Sequence, residues 1–397
     1  MTGGLNDVAR FRRETARRGV HLAPAGLLVL VLAAFTVAGH ATPPGSAAGT
    51  APAVEAGYLP ALPGYEFHFP EDQGAHPGYQ NEWWYFTGHL FSSDEREYGF
   101  EVTFFRVGVR PPGNESRTAW DLHDLAMAHF ALTDIPDGDF RYAERLNRES
   151  PYTAMAATGR LSVFNEGWHV ETREDGSWSL HAASGGDAVD LVLTPLKPPA
   201  IHGENGVSVK APGIGYASHY YSYTRIAASG TIRSKGVTRR CNGTVWMDHE
   251  FGSATLSEAQ AGWDWFSVQL DDHTELMLYQ MRQRNGRIAD TSSGSFVAAD
   301  GRVIHLRHDE FLIEPRGSWT SPATGATYPM GWTLTVRPLG LRITLDPVMR
   351  DQELATTEST GVTYWEGAVH VDGRAGGTPV QGEGYVEMTG YDESLRP

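Results

Sequence analysis

The fold of this chain is decided by residues 243–270, GTVWMDHEFGSATLSEAQAGWDWFSVQL. Two short runs with the alternation of β-strands flank a polar connector in this stretch. In the first run, alternation places Trp246, Asp248 and Glu250 on one side of a strand and His249 on the other. The stretch therefore predicts two strands with different chemistry on their two faces.

The second run contains a carboxylate among large apolar side chains. Asp264 sits between Trp263 and Trp265 and shares a strand face with Phe266 and Val268. Such a carboxylate has to be hydrogen-bonded, ion-paired or protonated. We therefore interpret residues 243–270 as the junction between two similar domains and as the best candidate for chemistry.

Composition bounds the class of protein. With 397 residues the chain can form two domains with proper cores. Many glycines and aromatic residues favour a protein of strands and turns, and a single cysteine, Cys241, excludes an intramolecular disulfide. The formal charge of −16 argues against a nucleic-acid partner, because few cations are present to neutralise phosphates.

The first 41 residues differ from the rest of the chain. Five arginines precede the apolar run 22–38, and small residues follow it. This order is typical of a secretory signal peptide. The apolar run is near the lower length limit for a membrane-spanning helix, so an uncleaved N-terminal anchor stays an alternative. Residues 42–62 predict a flexible tether. We expect an extracytoplasmic protein, secreted or periplasmic.

After residue 65, short alternating runs are separated by Gly, Pro, Asp and Asn. Residues 82–90 and 99–109 predict a β-hairpin. Further strands are predicted at 126–133, 158–164, 178–181, 189–194, 219–229, 242–248, 262–270, 274–283, 293–299, 302–306, 331–336, 341–345, 362–371 and 381–389. Many short strands at this spacing predict an all-β sandwich or barrel.

The two halves of the chain resemble each other. EWWYFTGHL (82–90) matches GWDWFSVQL (262–270), EVTFFR (101–106) matches ELMLYQ (275–280), and GTVWMD (243–248) matches GYVEMT (384–389). Three shorter matches occur in the same order, which predicts a tandem of related β-domains, 63–255 and 256–397. Three sites break the symmetry: Asp264 stands opposite Trp84, residues 248–250 stand opposite 389–391, and His89 stands opposite Gln269.

Residues 64–90 and the later WMDHEFGS and GWDWF motifs resemble the AttH-type secreted lipocalin-like family. This group is similar to hydroxyneurosporene synthase, a carotenoid 1,2-hydratase, and is often labelled predicted secreted hydrolase. The resemblance covers the chain from about residue 58 to its end. It implies two lipocalin-like antiparallel β-barrels in tandem, with a barrel interior that holds a small apolar ligand.

For a hydratase, Asp264 is the first candidate for the catalytic acid. Adding water to a C=C bond needs a proton donor, and burial can keep a carboxylic acid protonated. The indole rings of Trp263, Trp265 and Trp246 would stabilise a carbocation. In the alternative interpretation, Asp264 caps a backbone or pairs with an arginine.

Asp248 and His249 are candidates for proton relay or water placement, with structural pairing as the alternative. Residues 248–250 cannot all ligate one ion, because consecutive strand residues point to opposite faces, so we expect no metal. We also find no phosphate loop or dinucleotide fingerprint, and we expect no cofactor. A serine hydrolase is disfavoured because no G-x-S-x-G motif is present.

Aromatic residues of the first half complete the predicted site. Trp84, Tyr221 and Tyr223 are expected to line the ligand cavity or to pack between the barrels, whereas Trp83 is expected to be scaffold. Glu82 is expected to pair with Arg106 on the adjoining strand.

Two functions remain open at this point. The first is a cofactor-independent hydratase acting on an apolar isoprenoid or polyene. The second is an extracytoplasmic carrier of a lipid-like ligand, associated with the membrane surface or with an ABC-type exporter.

Overall fold

The computed structural model describes residues 54–113, 121–253 and 256–392. The predicted signal segment and most of the tether lie outside these residues. Within the described ranges, no helix is long and apolar enough to cross a membrane. Two short 3₁₀ helices, Glu71–Gln73 and Arg337–Leu339, are present among the strands.

A thirteen-stranded antiparallel sheet is built from residues 81–252. Its strands are β1 (Asn81–Ser92), β2 (Glu97–Gly108), β3 (Asp124–Asp134), β4 (Asp139–Arg148), β5 (Ala154–Ala156), β6 (Ser162–Asn165), β7 (Trp168–Thr172), β8 (Trp178–Ser184), β9 (Asp187–Pro195), β10 (Ala200–Ile201), β11 (Ser208–Val209), β12 (Ala217–Ser234) and β13 (Val237–Gly252). Side-chain bonds from Arg145 and Asn147 on β4 to Asn165 at the end of β6, both 2.7 Å, nearly close this sheet into a barrel.

A ten-stranded antiparallel sheet is built from residues 260–389, and β19 and β20 pair separately. The strands are β14 (Gln260–Leu270), β15 (Glu275–Gln283), β16 (Ser293–Val297), β17 (Val303–Arg307), β18 (Phe311–Pro315), β19 (Trp319–Thr320), β20 (Thr327–Tyr328), β21 (Trp332–Val336), β22 (Leu341–Pro347), β23 (Glu353–Thr356), β24 (Val362–Ala375) and β25 (Thr378–Thr389).

The two sheets share one strand order. The first runs β4-β3-β2-β1-β13-β12-β9-β8-β7, and the second runs β17-β16-β15-β14-β25-β24-β22-β21-β18. The all-β fold of two lipocalin-like sheets is therefore confirmed, including the hairpin formed by β1 and β2. Strand β4 was not predicted, because its residues are half-buried along most of its length and its sequence shows no apolar alternation.

Strand pairing corrects one of the sequence matches. Thr87 lies opposite Glu101 on β2, and its counterpart Ser267 lies opposite Met277 on β15. Glu101 therefore corresponds to Met277 and not to Glu275. The shift arises because the turn sets the register of a hairpin. The β1–β2 hairpin contains more residues beyond the matched segments 82–90 and 101–106 than the β14–β15 hairpin contains beyond 262–270 and 275–280.

A second match shifts in the same way. Tyr85 lies opposite Asp248 on β13, and its counterpart Trp265 lies opposite Glu387 on β25. Asp248 therefore corresponds to Glu387, two residues before the threonine expected from the sequence. The two sheets consequently carry a carboxyl group at the same register position.

Alternation divides the side chains between three cores. Residues such as Trp84, Phe86 and Met247 fill the inside of the first barrel, and residues such as Phe266 and Trp365 fill the inside of the second. A third cluster, which includes Tyr85, Tyr220, Trp246, Trp265 and Tyr385, lies between the sheets. The barrel interiors are thus occupied by the chain's own side chains.

Polar contacts also join the sheets. Glu275 of the second sheet is buried and receives Lys197 at 2.8 Å and Arg225 at 2.5 Å from the first half. Gln269 donates to the carbonyl of Thr224 at 2.7 Å, and His129 contacts the hydroxyl of Tyr364 at 2.7 Å. The junction is therefore a packed interface that contains specific polar contacts.

Candidate active site

A cavity of about 180 Å³ lies between the two sheets. One wall comes from β1, β2, β12 and β13, and the other comes from β14, β15, β24 and β25. The surface is mostly apolar, and the volume exceeds the roughly 150 Å³ of an engineered cavity that holds benzene. We expected a ligand cavity inside a barrel, whereas this cavity lies between the sheets, and the inside of the first barrel is packed with its own side chains.

Asp248 is the carboxyl group of the first wall. Its Oδ2 accepts a hydrogen bond from the hydroxyl of Tyr220 at 2.7 Å, and its Oδ1 accepts bonds from Trp246 Nε1 at 2.6 Å and from Ser222. Burial raises the pKa of Asp248 to about 7, and the charge of Glu250 adds to this, although the three hydrogen bonds oppose it. Asp248 therefore changes charge near neutral pH.

Glu366 and Glu387 are the carboxyl groups of the second wall. They lie directly opposite each other on β24 and β25, where side chains on one face approach closely. Burial raises the pKa of Glu387 to about 7. Burial also holds the pKa of Glu366 well above its usual range, and the charges of Glu101 and Glu387 add to this effect. Two such neighbours cannot both ionise readily, so the pair retains a proton at neutral pH.

Buried polar atoms beside this pair lack partners. Glu366 lies close to the hydroxyl of Tyr85, yet Glu366 Oε1 and the Tyr85 hydroxyl make no well-aligned hydrogen bond among the described residues. Both residues line the cavity. Because unpaired buried polar atoms are costly, their position indicates that a water molecule or a polar ligand group is accommodated there.

Indole rings form much of the apolar lining. Trp83, Trp263 and Trp265 all face the cavity. Trp263 Nε1 donates to Glu387 at 3.2 Å, and Trp265 Nε1 donates to the Tyr220 hydroxyl at 3.0 Å, so the rings are held in place. A site of this kind combines proton donors and acceptors with aromatic faces that favour positive charge.

A family model described as AttH-like matches residues 60–391. The chain belongs to the AttH-like family. Its fold is similar to that of an AttH protein from Nitrosomonas europaea, with 33% identity, a TM-score of 0.75, and coverage of 84% of this chain and 99% of that chain.

A more distant structural neighbour of this AttH-like chain is kievitone hydratase from Nectria haematococca. The identity is 14%, the TM-score is 0.63, and the match covers 81% of this chain and 92% of that chain. At this identity the likeness shows a shared fold. No curated protein matches the chain significantly.

Asp264 does not have the environment that an acid catalyst requires. Its carboxylate is bound by Arg282 Nε at 3.0 Å and by Gln280 Nε2 at 2.7 Å, and it is not among the residues that line the cavity. Strand alternation explains this, because Trp263 and Trp265 face the cavity and the residue between them faces the second barrel. The geometry corresponds to the alternative interpretation, a structural pair with an arginine.

His249 lies in the first barrel on the opposite face from Asp248, as alternation predicted. Its Nε2 is 2.9 Å from Glu82 Oε1, and its Nδ1 is 2.9 Å from the hydroxyl of Tyr221. Burial lowers the pKa of His249, although the bond to Glu82 opposes this. The residue does not line the cavity, so the structure does not support its assignment as a catalytic residue.

Glu82 is the centre of this buried network. The expected pair with Arg106 is confirmed, with Arg106 Nε 2.9 Å from Glu82 Oε2. His76 Nδ1 also contacts Glu82 at 2.8 Å, and His76 Nε2 contacts Asp72 at 3.0 Å. His76, Glu82 and His249 have the donor types of a metal site. However, Arg106 already supplies a positive charge to Glu82.

Trp84, Tyr221 and Tyr223 belong to the core of the first barrel. Trp84 stacks on His249 with 4.7 Å between ring centroids and donates to the carbonyl of Gln73. The assignments of Trp83 and Trp84 are therefore reversed, because Trp83 lines the cavity and Trp84 is scaffold. Trp246 belongs to the cluster between the sheets and donates to Asp248, but it is not among the residues that line the cavity.

Sequence reasoning missed Tyr85, Glu366 and Glu387, and from the aromatic run 219–223 it selected Tyr221 and Tyr223 instead of Tyr220. Glu366 follows Trp365 in an apolar run, and Glu387 stands between Val386 and Met388. Both show the signal that drew attention to Asp264, a carboxylate in an apolar strand. Glu366 and Glu387 differ from Asp264 because they lie on the strand face that meets the other sheet. Only the assembled structure shows which face that is.

Proposed function

We propose that this protein is a cofactor-independent hydratase that adds water to a C=C bond of an apolar, isoprenoid-like substrate. The observation that carries the proposal is the placement of Asp248 and the Glu366–Glu387 pair on opposite walls of one aromatic cavity. Each side thus has a carboxyl group that can exchange a proton near neutral pH. Water addition is also the activity in the name of the structural neighbour kievitone hydratase.

Proton donation is assigned to the Glu366–Glu387 pair. The pair retains a proton because the two carboxyl groups repel each other when both are ionised. Glu366 lines the cavity, and its Oε1 makes no well-aligned hydrogen bond among the described residues although the Tyr85 hydroxyl lies close to it. Transfer of its proton to one alkene carbon leaves the neighbouring carbon as a cation, stabilised by the rings of Trp263 and Trp265 and by the carboxylate that remains.

Water activation is assigned to Asp248. Tyr220, Ser222 and Trp246 all donate to this carboxylate and orient it. Water forms the new C–O bond with the cation and gives one proton to Asp248. The balance is one alkene plus one water to one alcohol. The catalyst is restored when a proton passes from Asp248 back to the glutamate pair.

A second function, carriage of an apolar ligand without turnover, is favoured by the largely apolar lining. Export, association with a membrane and pairing with an ABC-type exporter belong to this alternative and rest on the sequence. Such a carrier would need the cavity and the indoles but not the ionisable groups.

One experiment separates the two functions. The purified protein is incubated with a panel of acyclic isoprenoids and polyenes in H₂¹⁸O, and products are analysed by mass spectrometry while ligand binding is measured by tryptophan fluorescence. A hydratase incorporates one ¹⁸O per turnover, and Glu366→Gln should strongly reduce this incorporation while retaining binding. Glu353→Gln is the matched control, because Glu353 is buried, does not line the cavity, and bonds instead to Ser321, Thr324 and Tyr328. Binding of a substrate that is returned unchanged would identify a carrier.

A further inference from the structure

A cluster of two histidines and one glutamate lies at the junction of the sheets, away from the cavity. His89 is on β1, Glu97 is on β2, and His370 is on β24. His89 follows the cavity residue Tyr85 by four residues along β1, a distance of about 13 Å in an extended strand. His89 is also one of the residues that breaks the symmetry between the halves.

The three side chains converge on one oxygen atom. His89 Nδ1 lies 2.9 Å from Glu97 Oε1, and His370 Nε2 lies 2.8 Å from the same atom. One donor atom from each residue lies within 4.8 Å of the others. His89 is buried, whereas His370 is about half-exposed, so the cluster is reachable from solvent.

The hydrogen bonds of His89 show that the cluster needs a positive charge. Its Nε2 lies 3.1 Å from the carbonyl oxygen of Gly384, which can only accept, so this nitrogen carries a hydrogen. In a neutral ring Nδ1 then presents a lone pair to the Glu97 carboxylate. Two acceptors 2.9 Å apart need a positive charge between them, either a proton or a metal ion.

We propose that His89, Glu97 and His370 bind a divalent transition-metal ion of the zinc class and thereby link the first sheet to the second. Two imidazoles and a carboxylate are a ligand set that zinc adopts in proteins. The Nε2–H bond of His89 to a backbone carbonyl is the outer contact that orients a ligating histidine.

The geometry is close to that of a bound ion. Zinc–ligand bonds of about 2.0–2.1 Å place two donors at most about 4.2 Å apart. Tetrahedral zinc ligands with such bonds lie about 3.4 Å apart, so Glu97 must move about 0.5 Å away from both His89 and His370 to admit the ion. Solvent supplies the fourth ligand. The cluster of His76, Glu82 and His249 differs, because Arg106 already neutralises its glutamate.

Isothermal titration with ZnCl₂ tests the proposal, using the chelator-treated chain without a polyhistidine tag. We expect one equivalent to bind with micromolar or better affinity and to raise the melting temperature, since the ion joins two sheets. His370→Ala and Glu97→Gln should each weaken binding at least tenfold. His308→Ala, which removes an exposed histidine paired with Asp290, is the matched control and should bind as the wild type does.

Two results would overturn the proposal. One is the absence of zinc binding below millimolar concentration by the folded wild type. The other is unchanged binding in His370→Ala with loss in His76→Ala, which would place the ion in the Glu82 network. Circular dichroism of each variant shows whether the fold is retained, and hydration activity is not needed for the measurement.

Discussion

Asp248 and Glu387 occupy the same register position in the two sheets, and their carboxyl groups line one cavity from opposite walls. Burial raises the pKa of each to about 7. Their surroundings nevertheless differ, since Asp248 receives three hydrogen bonds and Glu387 lies against Glu366. At equivalent positions, the surroundings of Asp248 thus favour a carboxylate that accepts a proton, and those of Glu387 favour a carboxyl group that donates one.

Glu366→Gln keeps the size of the side chain and removes its transferable proton. We expect turnover to fall by about two to four orders of magnitude, the usual effect of losing general acid catalysis. Ligand affinity should change little, because it comes mainly from buried hydrocarbon surface. Steady-state kinetics and fluorescence titration check both. Equal turnover in wild type and Glu366→Gln would remove Glu366 from the mechanism.

The activity should depend on pH with two limbs. Asp248 must be ionised to accept a proton, so kcat/KM should rise as pH increases through about 7. It should fall again at higher pH, where the Glu366–Glu387 pair loses its remaining proton. Profiles from pH 5 to 10 measure this. The residual activity of Asp248→Asn should lack the acidic limb, and a steady decline from pH 5 in the wild type would contradict the assignment.

Glu101 should make stability depend on pH. Burial raises its pKa to about 8, with the charge of Glu387 adding to the effect, so the folded state holds a proton that the unfolded state releases near pH 4.5. The protonated form favours folding at low pH, and this advantage is lost as pH rises towards about 8.

Glu101→Gln removes this titration. Compared with the wild type, the variant should lose less stability between pH 5 and pH 8, by roughly 2–4 kcal/mol at 1.36 kcal/mol per pKa unit. Urea denaturation at the two pH values measures the difference. Parallel changes in both proteins would show that Glu101 ionises normally in the folded state.

Asp264→Asn should act on stability and not on chemistry. The carboxylate is buried and paired with Arg282, whose guanidinium also stacks on Tyr391 at 3.8 Å. Leaving a largely buried arginine without its partner should cost about 2–4 kcal/mol. Denaturation and kinetics below the melting temperature check this. A stable variant with turnover reduced a hundredfold would restore Asp264 as the acid.

Trp263→Ala and Trp84→Ala should have opposite effects. Trp263 lines the cavity, so its truncation should weaken ligand binding by about tenfold or more while costing little stability. Trp84 is fully buried in the first barrel, so its truncation should cost about 3–5 kcal/mol through the void it leaves. Fluorescence titration and thermal denaturation distinguish them. Lost affinity in a Trp84→Phe variant that is as stable as wild type would contradict the placement.

Much of the fold could be predicted because it depends on local patterns. Alternation in residues 82–90 and 262–270 gave the strands, and the matches between halves gave the tandem. Alternation also separated Asp248 from His249 correctly. The register of the two hairpins could not be predicted. The similar sequences at 101–106 and 275–280 do not show how many residues each hairpin contains before its turn.

The site was predicted only in part, for a related reason. Trp263, Trp265 and Asp248 were identified and line the cavity. Asp264 was ranked above them because a carboxylate between indoles suggests a buried acid. The sequence shows which residues share a face of a strand. Which face becomes the site is decided by the contact between the two sheets, and the sequence does not show that contact.

The cavity is enclosed by what would be the outer surfaces of two barrels. A single copy of the ancestral unit would expose its Asp248 or Glu387 equivalent to water, where a carboxylic acid has ordinary strength. The raised pKa values therefore depend on contact between the two sheets. The chemistry proposed above is a property of the pair, because each half covers the carboxyl group that the other half would leave in water.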